Sequence, residues 1–389
     1  MIIENLKLKY KTGDKIMAIV NLREKRPGTM TDRERFMNIM EHRSVDRCFD
    51  MEFGFWEENF KEWDIFVKND IRTSGEATHS FGFDGIGGAW PKPWLNPYFD
   101  GEVLEEKENT RIVVSGEGNV VEIPKDGHAT IPHSVRSVIQ TPDDWKKIKE
   151  ERLKIDDDSR LPDLSWIKDG TGENSKHANQ IFCGSMIGTI RNLLTFEGLC
   201  YAIYDYPDMV EDMVETSCRI VERYLDIILP MGQFDLGFFW EDISFKNGPI
   251  VSLDFFKEVL APRYKRITSK LRKHGCNHAY MDSDGDVRSL LPILLDCGID
   301  IIFPWEVMAS EHPGIILDQY GGELKIMGGV DKTKLIEGKE ATKTYLESLV
   351  PWVEKGGYIP FVDHLVPPDV KEETFLYYLE LKDKLFLGM

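Results

Sequence analysis

Cationic residues are scarce in this sequence of 389 residues, which has 48 lysines and arginines against 67 aspartates and glutamates and a formal net charge of −19. Nucleic acids and anionic membrane surfaces bind through clustered lysine and arginine, so this balance argues against both as partners. The six cysteines include no CxxC pair, which is typical of reduced thiols rather than of a disulfide frame. No apolar run reaches the roughly 18 residues of a membrane span, and residues 1–15 mix charges with short apolar runs, unlike a signal peptide. The sequence therefore predicts a soluble, cytoplasmic protein.

Apolar strand patterns alternate with helical patterns along most of the chain. The predicted strands are 47–53, 81–84, 180–184, 234–240, 278–282, 299–303, 324–327 and 358–361. Strands separated by helices form parallel sheets, and about eight of them favour a (β/α)8 TIM barrel. A doubly wound sheet is the alternative, but no GxGxxG motif follows a strand, since Gly85-Ile86-Gly87-Gly88 lacks the third glycine.

Two further segments complete the predicted organisation. Arg111–Val114 and Val120–Ile123 flank a glycine-containing loop, which indicates a β-hairpin insertion near residues 100–140. Thr31 and Glu34 have the spacing of a capping box at a helix start. We therefore divide the chain into an N-terminal arm, residues 1–29, and a single barrel domain, residues 30–389.

Carboxylates follow nearly every predicted strand. In chain order the strand ends carry Glu52, Asp84, Glu241, Asp242, Asp282, Asp284, Glu306, Asp331, Asp363 and His364. Catalytic groups of such barrels come from the C-terminal ends of several strands. Asp282 and Asp284 are two residues apart and point the same way, and two adjacent carboxylates require a cation, a shared proton or a substrate hydrogen bond. This strand end is the leading candidate for an active site.

Two chemistries fit these carboxylates, and the residues alone leave both open. In the first, Asp282 or Asp284, Glu306 or Glu241, and His364 bind zinc. In the second, a carboxylate pair shares a proton and acts as a general acid toward an ether or carbonyl oxygen. His278 belongs to neither, because it lies roughly 20 Å from Asp284 along an extended strand. We expect it to satisfy a hydrogen bond near the strand start.

Other residues near the strand ends suggest substrate contacts. Arg191 follows the strand at 180–184 and could bind a substrate carboxylate in a bidentate pair, or form an ion pair with Glu197. Five tryptophans lie at or near strand ends and either line an apolar pocket or belong to ordinary barrel packing. They are Trp56, Trp90, Trp94, Trp240 and Trp305.

Taken together, the motifs resemble a known family. They are Met30–Phe36, Phe81–Gly85, Trp240–Ile243, Lys246–Pro249, Met281–Gly285, Met327–Lys332 and Val362–Pro368. From about Met30 onward the chain is similar to the uroporphyrinogen decarboxylase superfamily, and most similar to the branch that contains corrinoid-dependent methyltransferases and many proteins of anaerobes. The resemblance implies a (β/α)8 barrel. It also implies that Asp84 corresponds to the aspartate that holds the pyrroles, and His364 to the histidine of a late loop.

Two departures from the family pattern bear on function. The decarboxylases carry an arginine-rich segment after the first strand for the propionates of a porphyrinogen, whereas Met51–Trp56 contains no arginine. The methyltransferase relatives bind zinc through His-x-Cys and a later cysteine, and here Asp282-Ser283-Asp284 and His364 stand at those places. Porphyrinogen decarboxylation is therefore not expected, and zinc would have oxygen and nitrogen ligands.

The resemblance implies an O-demethylating methyltransferase of the first half-reaction. The enzyme would move a methyl group from a small methoxylated compound, aromatic or not, to the cobalt of a corrinoid. The chain has no Asp-x-His-x-x-Gly corrinoid signature, so the corrinoid would arrive on a separate partner protein; a homodimer is also allowed. The alternatives are a decarboxylase-like lyase with a substrate smaller than a porphyrinogen, and a non-catalytic barrel that binds a ligand or partner. The predicted site comprises catalytic Asp282, Asp284, Glu241 and His364, substrate-binding Asp84, Arg191, Trp240 and Trp305, and metal-binding Asp284, Glu306 and His364.

Overall fold

The computed structural model of the protein describes residues 20–125 and 132–386, so residues 1–19 of the predicted arm lie outside the described residues. The strands are β1 (Ile86–Ala89), β2 (Glu102–Glu106), β3 (Thr110–Val114), β4 (Val120–Pro124), β5 (His133–Arg136), β6 (Ala178–Phe182), β7 (Leu236–Trp240), β8 (Ser244–Phe245), β9 (Gly248–Pro249), β10 (His278–Asp282), β11 (Ile301–Trp305), β12 (Lys325–Val330) and β13 (Tyr358–Val362).

Helices separate most of these strands. The α-helices are α1 (Asp32–Met40), α2 (Asn59–Glu62), α3 (Asp64–Lys68), α4 (Ser74–Ser80), α5 (Pro142–Arg152), α6 (Ile167–Gly170), α7 (Gly188–Leu194), α8 (Phe196–Asp205), α9 (Pro207–Ile228), α10 (Leu253–Phe255), α11 (Ala261–Lys273), α12 (Leu291–Asp296), α13 (Pro313–Tyr320), α14 (Lys332–Glu337), α15 (Lys339–Lys355) and α16 (Glu372–Phe386). Short 3₁₀ turns occur at Asp158–Arg160, Gly172–Asn174 and Leu229–Met231, and a π turn at Phe256–Leu260. In the described part of the chain, no helix has the length and apolar character needed to cross a membrane.

A parallel sheet of seven strands forms the centre of the molecule, in the order β1-β6-β7-β10-β11-β12-β13. Strand β10 lies between β7 and β11, with Met281 level with Phe239 on one side and Ile302 on the other. Every residue of β10, β11 and β13 is buried, as expected for parallel strands that are covered on both faces. The predicted TIM-barrel-like fold is confirmed.

An extended segment, residues 47–56, takes the place of a further strand between β1 and β13. The backbone N–H of Asp84, just before β1, donates to the carbonyl of Asp50 (2.7 Å), and the N–H of Val366, after β13, donates to the carbonyl of Gly54 (2.9 Å). Between these points the N–H of Val362 donates to the Glu52 carboxylate (3.1 Å). The predicted strand at 47–53 is therefore wrong, because a side-chain carboxylate accepts where a regular ladder uses a carbonyl.

The second predicted strand also has to be corrected. Residues 81–84 are not a strand, because Gly82 has a φ of +61° and turns the chain there. Strand β1 begins two residues beyond Asp84, at Ile86. This shift matters for the site, because it places Asp84 before the strand rather than at its C-terminal end.

The insertion is larger than the predicted hairpin. The β3–β4 hairpin is confirmed, with the N–H of Ser115 donating to the carbonyl of Asn119 (2.8 Å), and β2 and β5 extend it to an antiparallel sheet of four strands.

The predicted capping box of Thr31 and Glu34 is present at the start of α1.

Candidate active site

Acidic and basic side chains from six strand ends meet at the C-terminal mouth of the barrel. The carboxyl ends of parallel strands lie at one edge of a sheet, so residues far apart in the chain become neighbours there. The residues brought together are Arg191 after β6, Asp242 after β7, Asp282 and Asp284 at the end of β10, Glu306 after β11, Lys332 after β12 and His364 after β13. The predicted centre of the site, Asp282 and Asp284 with His364, is among them.

Asp282 is the most unusual member of this cluster. Its residue is only 6% exposed, and within the described ranges no protein group donates a hydrogen bond to its carboxyl. Burial raises the pKa of Asp282 well above its ordinary value, and the charges of Asp242 and Asp284 raise it further. This carboxyl therefore keeps its proton at pH values where an ordinary aspartate has lost it.

Asp242 lies beside Asp282 in a strained backbone conformation. Its φ is +47°, a region that residues other than glycine rarely adopt. The Arg191 guanidinium holds it by donating to its carbonyl oxygen (2.5 Å) and lying 3.5 Å from its carboxylate. Burial, and then the charge of Asp284, raise the pKa of Asp242, although Arg191 opposes them. The motif Trp240–Ile243 contained this residue, but only the tertiary structure identifies it as a neighbour of Asp282.

Arg191 therefore has a carboxylate partner within the protein. That partner is Asp242 and not Glu197, the alternative considered from the sequence. The guanidinium also lies 5.9 Å from the ring centroid of Trp240, so Trp240 lies beside the cluster.

His364 and Asp284 form the second charged pair. The imidazole Nε2 lies 3.4 Å from the Asp284 carboxylate. Burial acts to lower the pKa of His364, but the hydrogen bond and charge of Asp284 outweigh burial, and the net effect raises it. The pair favours a protonated imidazole beside the Asp284 carboxylate.

Glu306 and Lys332 form the third pair. The Lys332 ammonium donates to the Glu306 carboxylate (3.2 Å) and lies 3.5 Å from the carboxylate of Asp363. Burial acts to lower the pKa of Lys332, but the charges of Asp363 and Glu306 raise it by more. The other oxygen of Glu306 accepts from the N–H of Gly285 (2.9 Å), which ties it to the Asp284 loop. Lys332 belongs to the motif Met327–Lys332, but its role in the cluster depends on contacts that the sequence does not show.

The predicted zinc ligands are not arranged as a metal site. Asp284 pairs with His364, while Glu306 faces the ammonium of Lys332, and a cation bound to Glu306 would compete with that ammonium. Across residues 20–125 and 132–386, no group of three His, Cys, Asp or Glu side chains is placed to hold a metal ion. The residues do not fit zinc as they stand, and the geometry favours the alternative without a metal.

Glu241 lies outside the cluster, contrary to the predicted catalytic role. It is fully buried and accepts hydrogen bonds from the hydroxyls of Ser185 and Tyr264 and from three backbone N–H groups, those of Met186, Ile187 and Gly188. Burial raises the pKa of Glu241, although these hydrogen bonds oppose the rise. Because its acceptor positions are occupied, we assign Glu241 to holding the loop before α7.

Asp84 and Trp305 are also placed differently from the prediction. Asp84 precedes β1 and thus lies at the opposite end of the barrel, where the Arg47 guanidinium donates to both of its oxygens (2.6 and 2.8 Å). Trp305 is 1% exposed and donates its indole N–H to the carbonyl of Glu311 (2.8 Å). Neither side chain is available to a substrate at the mouth. His278 bonds Asp300 (2.7 Å) at the start of β10, as predicted.

An aromatic wall lies below the charged cluster. We use this term for Phe182, Phe238, Tyr280 and Phe303. Tyr280 stacks on Phe238 at 4.5 Å between centroids and meets the edge of Phe303 at 5.8 Å. Each residue of the wall keeps 7–8% exposure, while neighbours on the same strands, such as Ile181 and Phe239, are fully buried. This face of the sheet is therefore slightly open to solvent, whereas the opposite face is closed. Trp90 packs against the wall, 5.6 Å from Phe182.

Comparisons with known proteins agree with the fold. The family model described as "Uroporphyrinogen decarboxylase (URO-D)" matches residues 116–384. Among solved structures, a methyltransferase from Methanosarcina mazei is similar with a TM-score of 0.52 and 13% identity, over 91% of this chain and 99% of that one. A B12-independent methionine synthase from Shewanella sp. W3-18-1, in complex with selenomethionine, has a TM-score of 0.41 and 13% identity, over 94% and 97%. No curated protein matches the sequence.

Proposed function

Because the chain belongs to the uroporphyrinogen decarboxylase family, we propose that it is a methyltransferase that demethylates a small methoxylated aromatic compound. The methyl group passes to a corrinoid carried by a separate protein. The observation that supports this function best is the Asp282 carboxyl, which is buried above an aromatic wall, has no protein donor among the described residues, and has a pKa that burial raises well above its ordinary value. Such a group is suited to protonate the oxygen of an ether.

The proposed reaction breaks the bond between the methyl carbon and the ether oxygen. A departing alkoxide or phenoxide is a poor leaving group unless an acid stabilises it. If a reduced corrinoid were bound at the mouth on its carrier protein, it would supply the electron pair that takes the methyl group. The electron pair of the broken bond stays on the oxygen, which takes the proton of Asp282.

The rest of the cluster prepares Asp282 for this step and restores it afterwards. Asp242 and Asp284 favour the protonated form of Asp282 because a second or third negative charge in this buried place is costly. After the transfer, the imidazole of His364, 3.4 Å from Asp284, is the group that we propose donates a proton back toward Asp282. Protons then return to Asp282 through this pair from solvent.

A decarboxylase-like lyase remains the second candidate, because the family match supports it and Asp282 could equally protonate a carbanion left by loss of CO2. A porphyrinogen is not the substrate we propose. Met51–Trp56 has no arginine for its carboxylates, and Arg191 and Lys332 already pair with Asp242 and Glu306.

The test is a turnover assay with a panel of methoxylated and carboxylated aromatic compounds, with reduced cobalamin supplied. We expect methyl transfer from a methoxylated compound, and a loss of about 100- to 10,000-fold in kcat for Asp282→Asn, the range for removal of a general acid. Asp296→Asn is the matched control, because Asp296 is exposed and pairs only with Lys265 on the barrel exterior. CO2 release without methyl transfer would establish the lyase instead, and unchanged turnover of Asp282→Asn would remove this residue from the mechanism.

A further inference from the structure

Phe53 lies where the charged cluster and the aromatic wall meet. Its ring centroid is 4.6 Å from that of Phe303 in the wall and 5.4 Å from that of His364 in the cluster, with both contacts edge-to-face. The residue is only partly buried. A substrate that reaches both the wall and Asp282 therefore passes this ring.

The contacts of the residues next to Phe53 determine which way its side chain points. The preceding Glu52 is buried, and its carboxylate accepts from Val362 N–H, the Tyr378 hydroxyl (2.7 Å) and the Lys382 ammonium (2.7 Å). Because consecutive side chains of an extended chain point to opposite sides, anchoring Glu52 outward turns Phe53 inward. The next residue is Gly54, where a Cβ would lie 2.7 Å from the Ser74 hydroxyl, so the segment sits close against its neighbour.

The charges around Phe53 disfavour an anionic substrate. Residues 50–56 contain no cation, and their carboxylates, Asp50 and Glu52, pair with Arg23 and Lys382. The cationic side chains in the cluster, Arg191, Lys332 and His364, each pair with a carboxylate of the protein. A substrate carboxylate would have to displace one of these partners, leaving it unpaired in a partly buried place, which is costly.

We propose that the mouth of this barrel selects an uncharged aromatic ring, and that Phe53 is the residue that sets this specificity. The ring of the substrate packs against Phe53 and Phe303, with Asp282 reaching a polar substituent. That this substituent is a methoxy group rests on the proposed function. Selection of a neutral ring over a carboxylated one follows from the contacts and charges alone.

A binding experiment without corrinoid separates this inference from the proposed reaction. Anisole and para-methoxybenzoate share a methoxylated ring and differ in one carboxylate, and isothermal titration calorimetry of the full chain compares their affinities. We expect para-methoxybenzoate to bind at least about tenfold more weakly than anisole, which corresponds to roughly 1.4 kcal/mol. The inference is overturned if para-methoxybenzoate binds as tightly as anisole or more tightly, or if neither ligand binds.

Variants at Phe53 test whether this residue sets the preference. Phe53→Arg adds a cation at the wall and is expected to reduce the preference for anisole by about tenfold or to reverse it, while Phe53→Leu, the apolar control, keeps the wild-type preference. An unchanged preference in a folded Phe53→Arg variant, checked by circular dichroism, contradicts the role of Phe53. If that variant does not fold, Phe53→Lys takes its place, and an unchanged preference in that variant is the contradicting result.

The two proposals can fail separately. Selective binding of anisole without methyl transfer in the corrinoid assay leaves the selectivity standing and contradicts the methyltransferase. Methyl transfer from para-methoxybenzoate with at least the efficiency of anisole supports the methyltransferase and contradicts the selectivity.

Discussion

Asp282 combines two properties that conflict with stability. A buried carboxyl without a hydrogen-bond donor loses its hydration on folding and gains nothing in return. Two further carboxylates, Asp242 and Asp284, stand beside it. Proteins retain such arrangements at functional sites, where a strained or poorly solvated group serves the chemistry at the expense of stability.

This conflict gives a prediction for the pH dependence of stability. The pKa of Asp282 is raised on folding from its ordinary value of 3.8, so above pH 3.8 the unfolded chain releases this proton while the folded chain keeps it. Wild-type stability therefore falls as pH rises from 3.8 toward the folded pKa, by at most about 1.4 kcal/mol per pH unit from this group. Asp282→Asn lacks this loss, so we expect its free energy of unfolding to exceed that of wild type increasingly as pH rises.

Urea unfolding between about pH 5 and pH 8 measures this difference. Asp296→Asn serves again as control, since Asp296 is exposed, and its difference from wild type should not grow with pH. A pH-independent difference for Asp282→Asn would mean that Asp282 ionises as freely in the folded protein as in the unfolded chain.

At the scale of single elements, Glu241 shows how a strand-end carboxylate can serve structure. Its five hydrogen bonds join the end of β7 to the loop before α7 and to Tyr264 of α11. The close approach is also visible at Gly188, where a Cβ would meet the Glu241 carbonyl oxygen at 2.2 Å. The loop and the strand are thus fitted to each other around one carboxylate.

We predict that Glu241→Gln destabilises the protein by about 2–4 kcal/mol, because the amide N–H₂ group would face N–H donors that now bind a carboxylate. The free energy of unfolding in urea gives the size of the effect. The kcat of the folded variant, measured below its unfolding temperature, should change far less than that of Asp282→Asn. Unchanged stability with a large loss of kcat would restore the catalytic role predicted from sequence.

The segment at 47–56 shows where alternation of side chains is not enough to predict a strand. The alternation is real, since Glu52 points outward and Phe53 inward. Its hydrogen bonds, however, use side-chain carboxylates as acceptors. Val362 N–H donates to the Glu52 carboxylate, and Asp50 N–H donates to the Asp84 carboxylate (3.0 Å). Which atom accepts each hydrogen bond depends on neighbours more than 300 residues away in sequence, such as Val362.

At the scale of the whole molecule, the barrel brings the charged groups into alternating pairs. Arg191 meets Asp242, His364 meets Asp284, and Lys332 meets Glu306, and each pair joins different strand ends. Asp363 lies beneath the last pair, where burial raises its pKa to about 6, although Lys332 opposes the rise. Among the described residues, this pairing leaves the Asp282 carboxyl without a hydrogen-bond donor or a cationic partner.

The pairing also gives a prediction about metal content. We expect elemental analysis of protein purified without chelators to find no stoichiometric zinc, and turnover to survive dialysis against a chelator, since Lys332 supplies the positive charge at Glu306. Lys332→Met should then lower activity without changing metal content. Stoichiometric zinc that is lost together with turnover on chelation would instead support the predicted ligands Asp284, Glu306 and His364.

The sequence by itself determined the barrel and the end of it that carries the site, because strand and helix periodicity and the residues at strand ends are local properties of the chain. Asp282, Asp284 and His364 could be predicted for the same reason, as could the place of His278. Tertiary structure decided which strand-end carboxylates lie on the face of the aromatic wall and which face the surrounding helices. Glu241 and Asp84 have the same chemistry as Asp282, yet five donors surround the first and Arg47 binds the second at the far end of the barrel. The roles of Asp242, Lys332 and Phe53 likewise depend on contacts between distant segments, which no local pattern contains.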